Sequence, residues 1–88
     1  MIAAKIDENQ PEIVAALRKA GISVFSAASL GKGFPDLVCA LGEKVWLIEV
    51  KGPKGKPTKP QLEFMASWRG VVHIARTPED ALQIVGVL

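Results

Sequence analysis

Asp36, Glu49 and Lys51 stand at the ends of two short apolar runs that are joined by Gly42 and Glu43. If the runs pair as antiparallel strands about a tight turn, facing residues have numbers with a constant sum, which places Asp36 opposite Glu49. Gly42 suits the first central position of a type II′ turn, which needs positive φ. Opposed side chains have Cβ atoms about 4.5–5.5 Å apart, so the two carboxylates converge. Lys51 projects from the same face as Glu49.

Two carboxylates at this separation repel each other unless a cation lies between them, and their hard oxygen atoms suit a divalent ion. The neighbouring ammonium could hold an attacking water or stabilise charge that develops on a phosphate. The alternative is an exposed ion-pair cluster, which would contribute only about 0–1 kcal/mol and gives no reason for two facing acids. The pattern therefore predicts a metal site formed by Asp36 and Glu49, with Lys51 beside it.

The elements that must position these residues follow from hydrophobic spacing and turn signals. Pro11 in a first turn and apolar residues at helical spacing predict a first helix, capped by Asn9 or Asp7. The predicted elements are a helix at 11–20, strands at 22–26, 37–41 and 45–50, a helix at about 58–68, a strand at 71–75 and a helix from 77. This order, α-β-β-β-α-β-α, predicts an α/β fold with a small mixed β-sheet, since only the last strand follows a helical crossover. Both hairpin faces are apolar, so layers should cover both.

Length and composition limit the possible functions. A length of 88 residues predicts a single domain, 1–88. A composition of 49% hydrophobic and 23% charged residues indicates an ordered globular chain. No apolar stretch approaches the roughly 18–20 residues of a membrane span, and the N-terminus lacks a secretory pattern. We therefore expect a cytoplasmic protein with no membrane partner. Cys39 lies in an apolar run, which predicts a buried side chain and no internal disulfide.

Positive charge is concentrated after the hairpin. The net charge is only +2, but a nine-residue segment that is rich in Gly and Pro and has no acidic residue contains four lysines: Lys51, Lys54, Lys56 and Lys59. Such a cluster is typical of a surface that binds a phosphate backbone, and the alternative is a solubilising loop. We call residues 52–57 the lysine-rich loop. Lys32, in the loop before the hairpin, could also approach phosphate, or that loop could merely cross the sheet edge.

The order and spacing of these motifs resemble the PD-(D/E)XK nuclease superfamily. More closely, the chain is similar to the VRR-NUC family in its minimal, stand-alone form, over about residues 8–77. The segments that carry the resemblance are Gly33-Phe34-Pro35-Asp36-Leu37-Val38, Leu47-Ile48-Glu49-Val50-Lys51 and the helix start with Thr58 and Gln61. Each motif alone is weak, and their order, spacing and strand context together are fairly specific.

The resemblance implies a restriction-endonuclease-like core and a set of site residues. Asp36 and Glu49 would bind Mg²⁺ or Mn²⁺, with the backbone carbonyl of Val50 as a further ligand, and Lys51 would assist the attacking water. Gln61 would be an accessory site residue. Its alternative role is a capping box with the threonine three residues before it.

The family also places an acid on the first helix, and this position is open in the sequence. Glu12 is our choice as a ligand or water-positioning acid, while Glu8 and Gln10 compete for the role. Glu12 could instead only complement the helix dipole, and Glu8 could belong to a frayed terminus.

The function that follows is a Mg²⁺- or Mn²⁺-dependent endodeoxyribonuclease that hydrolyses DNA phosphodiesters. No element reads bases, so we expect selection by DNA shape, with Holliday junctions or other branched DNA as substrate and no small-molecule substrate. Two symmetric cuts in a junction require a homodimer, which also suits a small core. The resemblance suggests a phage or mobile-element origin, hence a bacterial or phage-infected host cell. The alternatives are a non-selective DNase or nicking enzyme, and a catalytically silent nucleic-acid-binding module.

Overall fold

The computed structural model of the chain describes residues 7–88. In chain order the elements are α1 (Gln10–Lys19), β1 (Ser23–Ser26), a 3-10 turn (Ala28–Leu30), β2 (Leu37–Leu41), β3 (Lys44–Val50), α2 (Lys59–Ser67), β4 (Val72–Ala75) and α3 (Pro78–Ile84). The predicted order is confirmed, and the element ends differ from the predicted ones by about one residue. Two predictions depend on residues 1–6, which lie outside the described range: the start of the domain at residue 1 and the lack of a secretory pattern. None of the helices in residues 7–88 is long and apolar enough to cross a membrane.

The four strands form one mixed sheet in the order β1-β2-β3-β4. β1 with β2 and β2 with β3 are antiparallel, because each pair is joined by a connection that reverses the chain. β3 and β4 are parallel, because α2 returns the chain to the end of the sheet at which β3 begins. The predicted small mixed sheet flanked by helices is therefore confirmed.

The hairpin of β2 and β3 has the register predicted from its apolar runs. Leu37 pairs with Ile48, and Leu41 pairs with Lys44 at the turn. Gly42 has φ +61°, and Glu43 has no positive φ, as a type II′ turn requires. Extending this register by one residue beyond the strand places Asp36 opposite Glu49.

The hydrophobic core lies on one face of the sheet, beneath α1 and α3. Apolar side chains from both helices and from three strands are buried there, and the largest members include Ile13, Leu17, Leu37, Ile48 and Val50. Cys39 is also buried in this cluster, as predicted, and burial raises the pKa of its thiol to about 11. This packing holds β2 and β3 rigidly from below, so the residues at their ends have defined positions.

The opposite face of the sheet, which carries Glu49, is covered less completely. α2 begins over this face but has no buried residue. Its predicted apolar stripe is only partly covered, since Leu62 is 54% and Trp68 44% exposed. On the strands, Phe25 and Val45 remain 67% and 63% exposed. The prediction that layers cover both faces is therefore wrong for part of this face, because one short helix cannot span four strands.

Candidate active site

A cavity of about 220 Å³ lies beside the open end of the β2–β3 hairpin. Its lining combines the hairpin end with the first residues of α2 and the residues before α1. The lining residues are Asp7, Asp36, Glu49, Lys51, Thr58 and Gln61. The tertiary structure thus brings together four residues that the sequence singles out for chemistry, and adds Asp7 to them.

The two carboxyl groups are largely withdrawn from solvent and held in place by the backbone. Asp36 is half-buried, and its Oδ2 accepts a hydrogen bond of 2.9 Å from the N–H of Val50, which is the residue after Glu49. The side chain of Glu49 is only 2% exposed. An exposed ion-pair cluster, the alternative considered from the sequence, is excluded by this burial. The carboxyl pair is instead a desolvated arrangement that needs a proton or a cation to be stable.

Burial raises the pKa of both carboxyl groups. For Glu49, desolvation is the largest cause and the charge of Asp36 adds to it, so that the pKa rises to about 7, although Lys51 opposes the shift. For Asp36, desolvation again dominates and raises the pKa, against the hydrogen bond from Val50. Because both shifts have the same sign, the pair holds a proton more tightly than free carboxyl groups do.

Lys51 is placed beside the pair and its backbone is fixed on both sides. Its Nζ lies 3.4 Å from Oε2 of Glu49, and its side chain is 11% exposed. The N–H of Lys51 donates to the carbonyl of Ala75 at 3.1 Å, and its own carbonyl accepts from Asn9. The ammonium is therefore a positioned donor at the cavity rather than a mobile surface charge.

Gln61 makes the capping contact that the sequence offered as one alternative, and it also contacts the carboxyl pair. Its Oε1 accepts from the N–H of Thr58 at 2.8 Å, which completes the capping box of α2. Its Nε2 donates to Oε2 of Glu49 at 2.6 Å. The two contacts fix which end of the amide faces which partner, since only the NH₂ end can donate to a carboxylate. One side chain thus joins the helix start to the carboxyl pair.

The structure does not bring Glu12 to the cavity. Glu12 and Glu8 are exposed, and Gln10 is buried, but none of the three lines the cavity. Asp7 does line it, and its negative charge contributes to the raised pKa of Asp36. The acid that precedes α1, rather than one in its first turn, therefore faces the site. Sequence reasoning considered Asp7 only as a helix cap.

Asn9 occupies the N-cap position of α1 but makes no capping bond with its side chain. Asn9 is therefore the cap residue of this helix, one of the two that the sequence predicted, although its side chain does not make the usual bond. The amide Nδ2 instead donates to the carbonyls of Lys51 at 3.0 Å and Arg76 at 2.8 Å. These acceptors are 42 and 67 residues away in sequence, so no local pattern could have revealed the contact. Asn9 ties the start of α1 to the ends of β3 and β4, beside the cavity.

The predicted phosphate-binding lysines are all solvent-exposed: they are Lys32, Lys54, Lys56 and Lys59. The lysine-rich loop has a defined shape, because one guanidinium nitrogen of Arg76 donates to the carbonyls of Gly52 at 2.6 Å and Gly55 at 2.7 Å. Sequence reasoning missed this role of Arg76. A cation at the end of an apolar strand is a common pattern, and it does not by itself indicate that the side chain binds a distant loop.

The donor atoms of the site fit a hard divalent cation. Within residues 7–88, no group of three or more His, Cys, Asp or Glu side chains is arranged to hold a metal ion. The N–H donors that reach the pair bind Oδ2 of Asp36 and Oε2 of Glu49. Two carboxylates with water in the other positions suit Mg²⁺, which keeps much of its hydration. The Val50 carbonyl as a further ligand stays a prediction.

Comparison with known families agrees with this geometry. The sequence model of the VRR-NUC domain matches residues 2–71 of the 88-residue chain. Comparisons with curated proteins and with solved structures gave no significant match. The matched range contains both carboxylates, the lysine and the glutamine that line the cavity. The chain therefore belongs to the VRR-NUC family, and its activity is that of a nuclease whose substrate is nucleic acid.

Proposed function

We propose that this nuclease is a Mg²⁺- or Mn²⁺-dependent endodeoxyribonuclease that cuts branched DNA, above all four-way Holliday junctions, as a homodimer. The observation that carries the proposal is the desolvated pair of Asp36 and Glu49, held side by side at the cavity. A pure binding module would gain nothing from such a pair, because two carboxylates repel a phosphate backbone.

Asp36 and Glu49 would hold the cation, with Asp7 close enough to act through its charge or a bound water. A bound Mg²⁺ or Mn²⁺ would polarise the scissile phosphate and lower the pKa of a water molecule. Loading the site would also remove the proton that the pair otherwise retains. Metal affinity should therefore rise with pH across the raised pKa of Glu49.

Lys51 and Gln61 complete the chemistry. The Nζ of Lys51 can donate to an attacking water or to the phosphate oxygen that gains charge, because it is already positioned 3.4 Å from Glu49. Gln61 does not touch the phosphate in this assignment. Its Nε2 donates to Oε2 of Glu49 and so holds that carboxylate in one orientation.

The surroundings of the cavity support a DNA substrate chosen by shape. The exposed lysines of the lysine-rich loop and Lys59 lie next to Thr58 and Gln61 in the chain, and both of these residues line the cavity. Such charges bind phosphates without reading bases. Backbone geometry is thus the basis for selection.

The incompletely covered sheet face supports the homodimer. Phe25 and Val45 expose 67% and 63% of their surface on the face that also carries Glu49. Large apolar side chains left open in this way are typical of surfaces that bind another protein. A second copy there would set two cavities in a symmetric relation, as two matched cuts in a junction require.

The proposal is tested with labelled four-way junction, flap, duplex and single-stranded DNA, each incubated with the protein in Mg²⁺, Mn²⁺ or EDTA. Asp36→Asn removes one ligand charge with little change of shape, and we expect cleavage to fall by about 100-fold or more. Glu43→Gln makes the same change in charge at the exposed turn of the same hairpin and serves as the matched control. It should cleave like the wild type.

The outcomes separate the proposal from its rivals. Symmetric nicks confined to the junction support a junction-resolving enzyme, whereas equal cutting of all four substrates would support a non-selective DNase. Binding without metal-dependent cleavage of any substrate would refute the catalytic assignment. Sedimentation of the protein with and without junction DNA tests the homodimer separately from the chemistry.

A further inference from the structure

Gly33 makes a backbone contact that no other residue could make. Its φ is +78°, and a Cβ atom at this position would overlap the carbonyl group of Pro60 and lie 2.8 Å from the backbone N of Gln61. The atoms that would be displaced belong to the backbone of the first turn of α2. They cannot move aside as the end of a flexible side chain can. The loop before β2 therefore lies directly against the helix start that carries Gln61.

An aromatic contact fastens the same two segments. The ring of Phe34 packs edge-on against Phe64 of α2, with centroids 5.4 Å apart. The N–H of Phe34 also donates to the carbonyl of Gly31 at 3.1 Å, which closes the loop on itself. Asp36 follows two residues after Phe34. The loop that delivers one carboxylate and the helix that delivers Gln61 are thus joined at two points.

These contacts matter because α2 has little else to locate it. It has no buried residue, so no side chain anchored in the core sets its height above the sheet. Yet its Gln61 must meet Glu49 at 2.6 Å, and a shift of about 1 Å in a positioned group can cost on the order of 100-fold in rate. The backbone contact at Gly33 lies at the turn of α2 that carries Gln61.

We propose that Gly33 is a positioning residue of the active site: the absence of a side chain there lets the loop seat the first turn of α2 so that Gln61 reaches Glu49. The inference rests on the proposed function, because it assigns Gln61 and Glu49 to the catalytic site. It goes beyond that function in naming what aligns the two halves of the cavity.

Gly33→Ala tests the proposal, with Gly31→Ala as the matched control. Both glycines have positive φ, +78° and +69°, so both substitutions introduce backbone strain. A Cβ at Gly31 meets no atom within 4 Å, whereas one at Gly33 meets α2. We expect Gly33→Ala to lower the junction cleavage rate about 10- to 100-fold relative to Gly31→Ala. Equal rates for the two variants would overturn the proposal.

A double-mutant cycle shows whether the effect passes through Gln61. In a Gln61→Ala background, adding Gly33→Ala should change the rate by less than about twofold, because the contact it disturbs is already absent. If the two losses add fully, Gly33 acts by another route and the proposal fails.

A readout without activity keeps the inference separate from the proposed function. The side-chain NH₂ signals of Gln61 in ¹H–¹⁵N spectra should shift towards values of a free amide in Gly33→Ala and stay in place in Gly31→Ala. Unchanged Gln61 signals in a folded Gly33→Ala protein overturn the inference even if the enzyme cleaves DNA. Should Gly33→Ala not fold, Phe64→Leu weakens the second fastening point and must shift the same signals. If it does not, the proposal is equally refuted.

Discussion

Gln61→Glu is the most informative single substitution, because it alters one of the two contacts of this side chain and preserves the other. The new carboxylate keeps Oε1 as an acceptor for the N–H of Thr58, now 2.8 Å away, and glutamate is as suitable as glutamine in a capping box. The donor that faces Glu49 at 2.6 Å is replaced by an oxygen. Helix capping is therefore unchanged, and any effect reports on the contact with Glu49.

The size of the effect follows from burial. A hydrogen bond to a charged group contributes about 1.5–3 kcal/mol, and Glu49, at 2% exposure, has almost no water to replace the lost donor. The new charge also joins two carboxyl groups whose pKa values are already raised. We expect the free energy of unfolding to fall by about 2–3 kcal/mol at about pH 8 in EDTA. Near pH 5 a proton shared with Glu49 restores a donor, and the loss should shrink to about 1 kcal/mol or less.

The assay is urea denaturation followed by circular dichroism at both pH values, with Gln83→Glu as the matched control. Gln83 lies on α3 and is exposed, so the same chemical change there should alter stability by no more than about 0.5 kcal/mol at either pH. Adding Mn²⁺ should recover part of the loss if the carboxyl groups share a cation. Wild-type stability of Gln61→Glu at about pH 8, or an equal loss at both pH values, would refute the reasoning.

Four further predictions follow from the same contacts. Without metal, the stability that protonated Glu49 provides is complete below about pH 4.5 and is lost as the pH rises to its folded-state pKa of about 7, a difference of about 3 kcal/mol in denaturation experiments. Glu49→Gln should reduce that slope and leave only the part that comes from the raised pKa of Asp36. Asn9→Ala should lower the free energy of unfolding by about 2 kcal/mol, because it removes two hydrogen bonds. Asn9→Asp should be no more stable than Asn9→Ala, since a carboxylate cannot donate to the carbonyl of Lys51. Arg76→Met should speed tryptic cleavage within the lysine-rich loop severalfold, as the loop loses both bonds to a charged donor, and an unchanged rate would contradict the assigned role. Cys39 should react with a thiol reagent only as fast as the protein unfolds, and rapid labelling of the folded protein would contradict its burial.

Much of the hairpin and its carboxyl pair could be predicted from local sequence. The register of β2 and β3 depends on a two-residue turn and on alternating side chains, and both are visible within 15 residues of the chain. The opposition of Asp36 and Glu49 follows from that register without knowledge of any other element. The parallel position of β4 was also predictable, because a short helix between two strands leaves few other topologies.

The acid at the start of the first helix could not be predicted in this way. Glu12, Glu8 and Gln10 all had suitable chemistry, and the helical pattern does not show which residue turns towards the end of a distant sheet. Docking of α1 on the core decides this, through Asn9 and its bonds to the ends of β3 and β4. The acid that lines the cavity is Asp7. It lies before the helix, so helical periodicity gives no information about it.

The sequence by itself thus determined the order of elements, the facing pair of Asp36 and Glu49 and the neighbouring Lys51, since all of these depend on contacts between residues close in the chain. Only the tertiary structure decided that the pair is withdrawn from solvent, that Gln61 reaches it from α2, and that Asp7 completes the cavity. The physical reason is that burial and pKa depend on everything packed around a group. Here that surrounding includes the close approach of Gly33 to α2, which no pattern of neighbouring residues encodes.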